Sequence, residues 1–317
     1  RPSPMLKSFR AALAMSVITL STIATSSAFA APLKVVASFT VIADFAKNVG
    51  GDRVDIITIV GPDGDAHVYE PSPADAVAMA KADIVLVNGL HFEGFLQRLV
   101  DASATKASIV TLTKGVTPID FKPEFADADA AEGAGTGGGK TVTDPHAFQS
   151  IANAKIYVKN IADAFCAADK DGCDSYKANA AAYTTKLDAL EGEVKTAIQS
   201  IPEAKRVVIT SHDAFGYFEH AYGLTFLAPQ GISTDSEPSA ADVAKLVSQV
   251  KQDKAAAIFV ENITNPRLIE QIASETGIKV GGTLFSDALS PPDGPASTYI
   301  DMMHNNITQI KGAILGS

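Results

Sequence analysis

Three histidines and one aspartate stand at positions where they could bind a metal ion together. His67 lies in the loop after the second predicted strand, and His146 stands in an Asp-Pro-His run just before a predicted helix. His212 and Asp287 each follow a predicted strand in the second half of the chain. Ligands of open parallel sheets bind beyond the carboxyl ends of the strands, so we expect these side chains to converge between two halves of the molecule.

This set of donor atoms is typical of a zinc site. Three imidazoles and one carboxylate make a closed tetrahedral shell suited to Zn²⁺, with bonds of about 2.0–2.2 Å. Glu261 also follows a strand, and we expect it to hydrogen bond a ligand rather than to bind the ion. The same outer position is predicted for Tyr69, Glu70 and Asp144. The remaining histidines are interpreted as structural or surface residues: His91, His220 and His304.

Short β-branched runs that alternate with helical patterns must position these residues. The first half has four predicted strands, at Leu33–Ala37, Val54–Val60, Ile84–Asn88 and Ser108–Leu112. The second half has four more, at Arg206–Thr210, Leu224–Ala228, Ala256–Val260 and Lys279–Leu284. Helical patterns follow most of them, near Val41–Val49, Pro73–Lys81, Glu93–Ala102, Ala214–Tyr222, Ser239–Gln252, Pro266–Thr276 and Ser297–Leu315. The alternation predicts an α/β fold with two lobes, each a four-stranded parallel sheet flanked by helices.

Two further helical segments connect the lobes. The first is predicted over Ala147–Ala168, and the second runs from Asp174 to Gln199 with one apolar stripe, formed by Tyr176, Ala180, Tyr183, Leu187, Leu190, Val194 and Ile198. A helix of that length spans about 39 Å, enough to brace two lobes rigidly. We therefore assign residues 31–172 to the N-terminal lobe, 173–202 to the connecting helix and 203–317 to the C-terminal lobe.

The first 30 residues have the pattern of a secretory signal peptide. Lys7 and Arg10 precede an apolar run of small residues, and Ala28-Phe29-Ala30 is an A-x-A cleavage signal. No cysteine follows that signal, so we expect a soluble periplasmic protein rather than a lipid-anchored one. In an exported protein Cys166 and Cys173 are predicted to form a disulfide. A reactive redox pair is the weaker alternative, because the spacing is not C-x-x-C.

Composition excludes several other classes of protein. The 317 residues include 26 basic and 36 acidic side chains, a formal charge of −10, which argues against binding to nucleic acid.

The segment 123–143 is acidic, rich in glycine and without apolar periodicity, so it is predicted to be a mobile loop of the N-terminal lobe. An acidic funnel that draws cations toward the cleft is the alternative interpretation of that loop.

Several of these motifs resemble one family along the whole mature chain. They are the H-x-Y-E-P-S-P run from His67 to Pro73, the Asp-Pro-His at 144–146, Ser211-His212, Val260-Glu261-Asn262 and the segment from Ser286 to Ser290. The chain resembles the periplasmic metal-binding proteins of zinc and manganese ABC importers, the cluster A-I solute-binding family. This resemblance implies one metal ion between two α/β lobes that are joined by a long rigid helix.

The resemblance also implies ligands, cargo and partners. It carries the ligand roles onto His67, His146, His212 and Asp287, with no catalytic residues. Manganese-selective relatives often have a carboxylate at the third ligand position, so the imidazole at 212 favours Zn²⁺, with Mn²⁺ as the alternative. The implied partners are an inner-membrane ABC permease and a periplasmic metal donor. We expect a monomer, without a membrane span after signal cleavage.

Two functions from other classes remain as alternatives. A zinc hydrolase keeps an open position for water in the metal shell, whereas four protein ligands leave none. A binding protein for haem, cobalamin or a siderophore needs a wide aromatic cleft, and this chain has no tryptophan and 7% aromatic residues.

For release of the ion we expect the loop at 286–295 to rearrange, rather than a large hinge motion.

Overall fold

The computed structural model of the protein describes residues 31–121 and 142–316. The predicted signal peptide at 1–30 and residues 122–141 of the predicted acidic loop lie outside the described residues. Residues 142–143, at the end of that predicted loop, form a strand instead. This strand, β6 (Val142–Thr143), pairs antiparallel with β5 (Asp120–Phe121).

The first sheet has four parallel strands in the order β2-β1-β3-β4. These strands are β1 (Leu33–Phe39), β2 (Val54–Val60), β3 (Ile84–Val87) and β4 (Ser108–Thr111). The connecting helices are α1 (Thr40–Gly50), α2 (Pro73–Lys81) and α3 (Leu96–Ser103). All four residues of β3 are apolar and buried, as expected for a strand covered by helices on both faces.

Local sequence fixes where these helices begin. Ser72 caps α2 in a capping box with Asp75, and Pro73 occupies the first turn, where its missing N–H costs no hydrogen bond. The helix predicted over Glu93–Ala102 begins later, at Leu96. Glu93 accepts hydrogen bonds from the backbone N–H groups of Asn88 and Gly89, which holds the preceding residues in a turn.

The predicted helix over Ala147–Ala168 is divided into two parts. A 3₁₀ turn covers Ala147–Gln149, Ser150 is extended, and α4 then runs over Ile151–Ala168. The predicted disulfide between Cys166 and Cys173 is present and joins the end of α4 to the start of α5 (Cys173–Gln199).

The long helix α5 buries the apolar stripe that its sequence predicts. The buried residues are Tyr176, Ala180, Tyr183, Leu187, Leu190, Val194 and Ile198. The helix packs against α1 and α4 on the side of the first sheet, and against α6 (Gly216–Tyr222) and α9 (Tyr299–Leu315) on the side of the second. It therefore shares apolar contacts with both halves of the described chain.

The second sheet repeats the plan of the first, with parallel strands in the order β10-β9-β7-β8. Its strands are β7 (Val207–Ile209), β8 (Thr225–Leu227), β9 (Ala257–Glu261) and β10 (Val280–Leu284). Two more helices cover it, α7 (Ala240–Asp253) and α8 (Arg267–Thr276). The predicted α/β architecture, with two parallel four-stranded sheets flanked by helices, is confirmed.

Two apolar cores hold these layers together. The larger includes residues from both sheets and from α1, α4, α5 and α9. The smaller lies between the second sheet and helices α7 and α8, and it contains Ile209, Leu246, Ile258 and Ile272. Among the described residues no helix has the length and apolar character needed to cross a membrane.

Candidate metal centre

The four predicted ligands meet at the carboxyl ends of the two sheets. Their candidate donor atoms all lie within 4.8 Å of one another, although the residues are spread over 221 positions of the chain, from His67 to Asp287. The side chains of His146, His212 and Asp287 are fully buried, and that of His67 is 3% exposed. The structure thus forms one enclosed pocket of three imidazoles and one carboxylate.

The spacing of the donor atoms suits a small dication at their centre. Asp287 Oδ2 lies 3.2 Å from His67 Nε2 and 3.1 Å from His212 Nε2. It lies 3.5 Å from His146 Nε2, which in turn is 3.3 Å from His67 Nε2. In a tetrahedral shell with bonds of about 2.0–2.1 Å, neighbouring ligand atoms are about 3.3–3.4 Å apart.

Two of the histidines are positioned by the same short motif, Asp-x-His. The Asp65 carboxylate accepts a hydrogen bond from the backbone N–H of His67 at 2.9 Å. The Asp144 carboxylate accepts one from the backbone N–H of His146, also at 2.9 Å, and contacts Nδ1 of the same ring at 2.8 Å. An aspartate two residues before each ligand therefore fixes its loop locally.

Glu261, at the end of β9, orients His212 through three contacts. Its Oε1 atom accepts hydrogen bonds from the backbone N–H groups of Ser211 and His212, and its Oε2 atom lies 2.6 Å from His212 Nδ1. Because a carboxylate accepts, Nδ1 keeps its proton when the ring is neutral, and the lone pair of Nε2 then faces the centre. Asp144 has the same effect on His146.

Asp287 is held by its neighbours in a loop that follows β10. The Asn306 side chain of α9 hydrogen bonds both the N–H and the carbonyl of Phe285. The Gln149 side chain donates to the carbonyl of Ser286. Asp287 Oδ1 is buried and, within the described part of the chain, has no hydrogen-bond partner. An unpartnered buried carboxylate oxygen is costly unless a cation compensates it.

The charges of the cluster stabilise one another when no metal is bound. Burial lowers the pKa of His67. Burial also opposes protonation of His146, but the carboxylates of Asp287 and Asp144 outweigh it and raise the pKa of His146 to about 9. Glu261 and Asp287 likewise raise the pKa of His212 despite its burial. The two imidazoliums hold the pKa of Asp287 well below its usual range, against the effect of burial.

Of the four predicted outer residues, the structure places two against the ligands and two elsewhere. Glu261 and Asp144 contact ligand imidazoles, as described above. The prediction is wrong for Tyr69 and Glu70. The Tyr69 hydroxyl donates to Asp75 at the start of α2, and the exposed Glu70 carboxylate accepts from Arg98. In H-x-Y-E-P the backbone turns away after the histidine, so these two residues support α2 and α3.

The other three histidines lie apart from the centre. His91 occupies an exposed turn with a positive φ of 64°, and His220 is exposed in the last turn of α6. His304 of α9 pairs with Glu193 of α5 at 2.7 Å. Sequence analysis missed Asp65, Gln149 and Asn306 as supports of the centre. The Asp-x-His spacing could have revealed Asp65, whereas only the fold brings the other two close.

Comparison with protein families gives a match over most of the chain. The family of the zinc-uptake complex component A, periplasmic (ZnuA), matches residues 35–313. The chain belongs to this family. It is thus one of the periplasmic metal-binding proteins of cluster A-I ABC importers, as its motifs predicted.

Curated relatives of this ZnuA-family chain are named for different metals. A manganese-binding lipoprotein, MntA, from Halalkalibacterium halodurans is 32% identical over 275 residues, covering 87% of this chain and 86% of the relative. The iron-binding protein YfeA from Yersinia pestis is 30% identical over 316 residues, covering 97% and 96%. The metal ABC transporter substrate-binding lipoprotein FimA from Streptococcus parasanguinis is 32% identical and covers 90% of each chain.

Solved structures agree with the fold. The periplasmic zinc-binding protein TroA from Treponema pallidum has a TM-score of 0.79 and 29% identity, covering 90% of this chain and 99% of that one. A manganese-bound S38A mutant of a periplasmic metal-binding protein from Candidatus Liberibacter asiaticus has a TM-score of 0.78 and 32% identity, covering 88% and 98%. These relatives are binding proteins rather than enzymes, which bears out the non-enzymatic prediction.

Proposed function

We propose that this ZnuA-family protein captures Zn²⁺ in the periplasm and delivers it to an ABC permease in the inner membrane. The observation that carries the proposal is the enclosed cluster of His67, His146, His212 and Asp287, whose donor atoms face one centre. We assign the ligand roles to these four side chains. Glu261 and Asp144 then act on the ion only through the imidazoles that they orient.

The preference for zinc is argued from the donor atoms. The names of the relatives include manganese, iron and zinc, so kinship alone does not select the ion. Three imidazole nitrogens and one carboxylate oxygen are borderline-soft donors that favour Zn²⁺, whereas Mn²⁺ suits shells richer in oxygen. Manganese is the second candidate, because the unpartnered Asp287 Oδ1 could supply a further oxygen ligand.

The setting of the protein follows from the same proposal. We place residues 1–30 as a cleaved signal peptide and the mature chain as a soluble monomer of the periplasm. Its receiving partner is the permease, and a periplasmic donor could supply the ion. A complete protein shell leaves no site for an activated water, so the proposal requires no catalysis at the metal.

Competition with a chelator tests the ion and the ligands together. Protein that has been stripped of metal is titrated with Zn²⁺ and with Mn²⁺ in the presence of a chelator of known affinity. We expect zinc to bind more tightly, and we expect His67→Ala and His212→Ala each to weaken zinc binding by at least about 100-fold. His304→Ala is the matched control, since this histidine pairs with Glu193 on the surface.

Two results would contradict the proposal. Zinc affinity that is unchanged in both ligand variants would show that the ion binds elsewhere. Manganese binding that is tighter than zinc binding in the unmodified protein would replace zinc by manganese as the cargo.

A further inference from the structure

The segment from Asn88 to Glu93, here named the 88–93 turn, follows β3 in a strained backbone conformation. Its three consecutive residues Gly89, Leu90 and His91 have positive φ angles of 85°, 55° and 64°. The left-handed region is unfavourable for leucine and histidine, so such a conformation persists only where surrounding contacts hold it. Strained backbone of this kind is concentrated at functional sites, and the 88–93 turn has contacts of two kinds with the metal centre.

A buried carboxylate fixes the shape of the turn. Oε1 of Glu93 accepts hydrogen bonds from the N–H of Asn88 at 2.6 Å and from the Ser38 hydroxyl of β1 at 2.7 Å. Its Oε2 atom accepts from the N–H of Gly89 at 3.2 Å. The N–H of Phe92 donates to the Gly89 carbonyl at 3.1 Å. These hydrogen bonds join the two ends of the turn to each other and to β1, which offsets the unfavourable φ angles.

The side-chain amide of Asn88 connects the turn to the loop that carries His146. Asn88 is fully buried, and its Nδ2 donates to the carbonyl of Pro145 at 2.9 Å. The Tyr157 hydroxyl of α4 donates to Oδ1 of the same amide. Because Oδ1 must face that hydroxyl, the NH₂ group is directed at Pro145, the residue directly before His146. Asn88 therefore holds the backbone of this ligand loop from the end of β3.

The ring of Phe92 provides the second contact with the centre. This fully buried ring makes edge-to-face contacts with the imidazole of His67, at 4.9 Å between centroids, and with that of His146, at 5.7 Å. It also packs against Phe39 and Phe148. Among the described residues no carboxylate pairs with Nδ1 of His67, in contrast to His146. Ring packing therefore contributes more to the orientation of His67.

We propose that the 88–93 turn positions two of the four proposed ligands, His67 and His146. Asn88 acts through the Pro145 carbonyl, and Phe92 fixes the tilt of both imidazoles. A tetrahedral shell requires its donor atoms within about 0.5 Å of their ideal places, so loosening either contact weakens the site. This role rests on the proposed function, because the turn acts on the ion only through these two ligands.

Zinc affinity in matched pairs of variants, measured by chelator competition, tests this role. Asn88→Ala removes the amide of the turn, and its control Asn179→Ala removes an amide of α5 that donates to the Val49 carbonyl. Phe92→Leu truncates the ring of the turn, and its control Phe165→Leu truncates an equally buried ring of α4. We expect the two turn variants each to weaken zinc binding about tenfold or more, and the controls to leave it unchanged.

The visible absorption of bound Co²⁺ distinguishes positioning from a general loss of stability. A tetrahedral Co²⁺ site absorbs more strongly than a five- or six-coordinate one. At full loading, Asn88→Ala and Phe92→Leu should show a weaker band than the unmodified protein, whereas Phe165→Leu should lose stability and keep the band. Circular dichroism of the metal-free variants checks that they fold. Tyr157→Phe, which removes only the hydroxyl that orients the amide, should also weaken zinc binding and tests the same contact if Asn88→Ala does not fold.

Two results would overturn the proposal. One is zinc affinity and a Co²⁺ band that stay unchanged in both Asn88→Ala and Phe92→Leu. The other is an equal loss of zinc affinity in the two controls, since any loss of packing would then weaken the site. His146→Ala separates this role from the proposed function. Normal zinc binding by His146→Ala would overturn both, whereas its loss beside normal binding in the turn variants would overturn the positioning role alone.

Discussion

At the scale of single residues, hydrogen bonds hold the side chains that we propose as ligands. His146 and His212 each present Nε2 to the centre because a carboxylate accepts a hydrogen bond from Nδ1–H. Backbone N–H groups are bound by the same carboxylates, so ring orientation and loop position are fixed together. Such preorganisation lowers the entropy that metal binding would otherwise cost.

Glu261→Gln tests this orientation directly. A glutamine retains an oxygen for the backbone N–H groups of Ser211 and His212, but its amide N–H faces His212 Nδ1 and favours the tautomer with the proton on Nε2. We expect zinc affinity to fall by about 10- to 100-fold with little change in stability. Chelator competition measures the affinity, with Glu70→Gln as the control. Equal losses in both variants would contradict the assigned role of Glu261.

Proton release is the second prediction at this scale. The pKa of His146 is raised to about 9 and that of His212 is raised as well. Both rings are therefore imidazolium cations, protonated on both nitrogens, at neutral pH when no metal is bound. Zinc needs the neutral rings, so binding at neutral pH should release about two protons. Affinity should therefore rise as the pH is raised toward about 9 and fall as the pH is lowered.

Calorimetry in buffers of different ionisation enthalpy counts these protons. The observed binding enthalpy should depend on the buffer at neutral pH and depend less on it above the pKa of His146. An enthalpy that is independent of the buffer, together with an affinity that is constant over the same pH range, would contradict the account.

The four side chains that meet were predicted from their residue types, from their positions after predicted strands and from the family resemblance. They also predicted that Glu261 and Asp144 would support the ligands. Tyr69 and Glu70 were assigned wrongly, since proximity along the chain does not fix where a side chain points. Asn306 and Gln149 could not be predicted, because their contacts with the Phe285–Ser286 backbone exist only once α9 and the 147–149 turn are packed.

At the scale of elements, sequence periodicity correctly predicted the buried face of α5. Its seven predicted stripe residues are all buried, because steps of three and four place them on one face that both halves cover. The start of α4 was less predictable. Ser150 is extended in the structure, and the 3₁₀ turn before it places His146 and Gln149 near the centre. Tertiary contacts overrode the helical pattern there.

Gly192 in α5 gives a prediction for stability. It lies on an exposed part of the helix, and a Cβ added there would meet no atom within 4 Å. Gly192→Ala should therefore raise the free energy of unfolding by about 1 kcal/mol, through helix propensity alone. Chemical denaturation of the metal-free protein measures this change, and zinc affinity should not alter.

Gly50→Ala is the matched comparison for this substitution. Gly50 ends α1, and an added Cβ would collide with the side chain of Val54. We expect this variant to lose stability. If Gly192→Ala lowered the free energy of unfolding as much as Gly50→Ala does, the low helix propensity of Gly192 could not be what weakens α5 at that position.

At the scale of the whole molecule, the centre is assembled from both halves of the described chain. His67 and His146 come from segments attached to the first sheet, whereas His212 and Asp287 follow strands of the second. Hydrogen bonds also cross between the halves: the Thr40 hydroxyl accepts from the N–H of Leu289, and the N–H of Asp63 donates to the Leu289 carbonyl. Leu289 belongs to the loop at 286–295, and rearrangement of this loop during release of the ion stays a prediction.

Anomalous diffraction from crystals of the zinc-loaded protein tests the central claim most directly. The account predicts one zinc peak at full occupancy among the Nε2 atoms of His67, His146 and His212 and Oδ2 of Asp287, at about 2.0–2.2 Å from each. A zinc peak elsewhere on the chain, with these four side chains directed away from it, would contradict it.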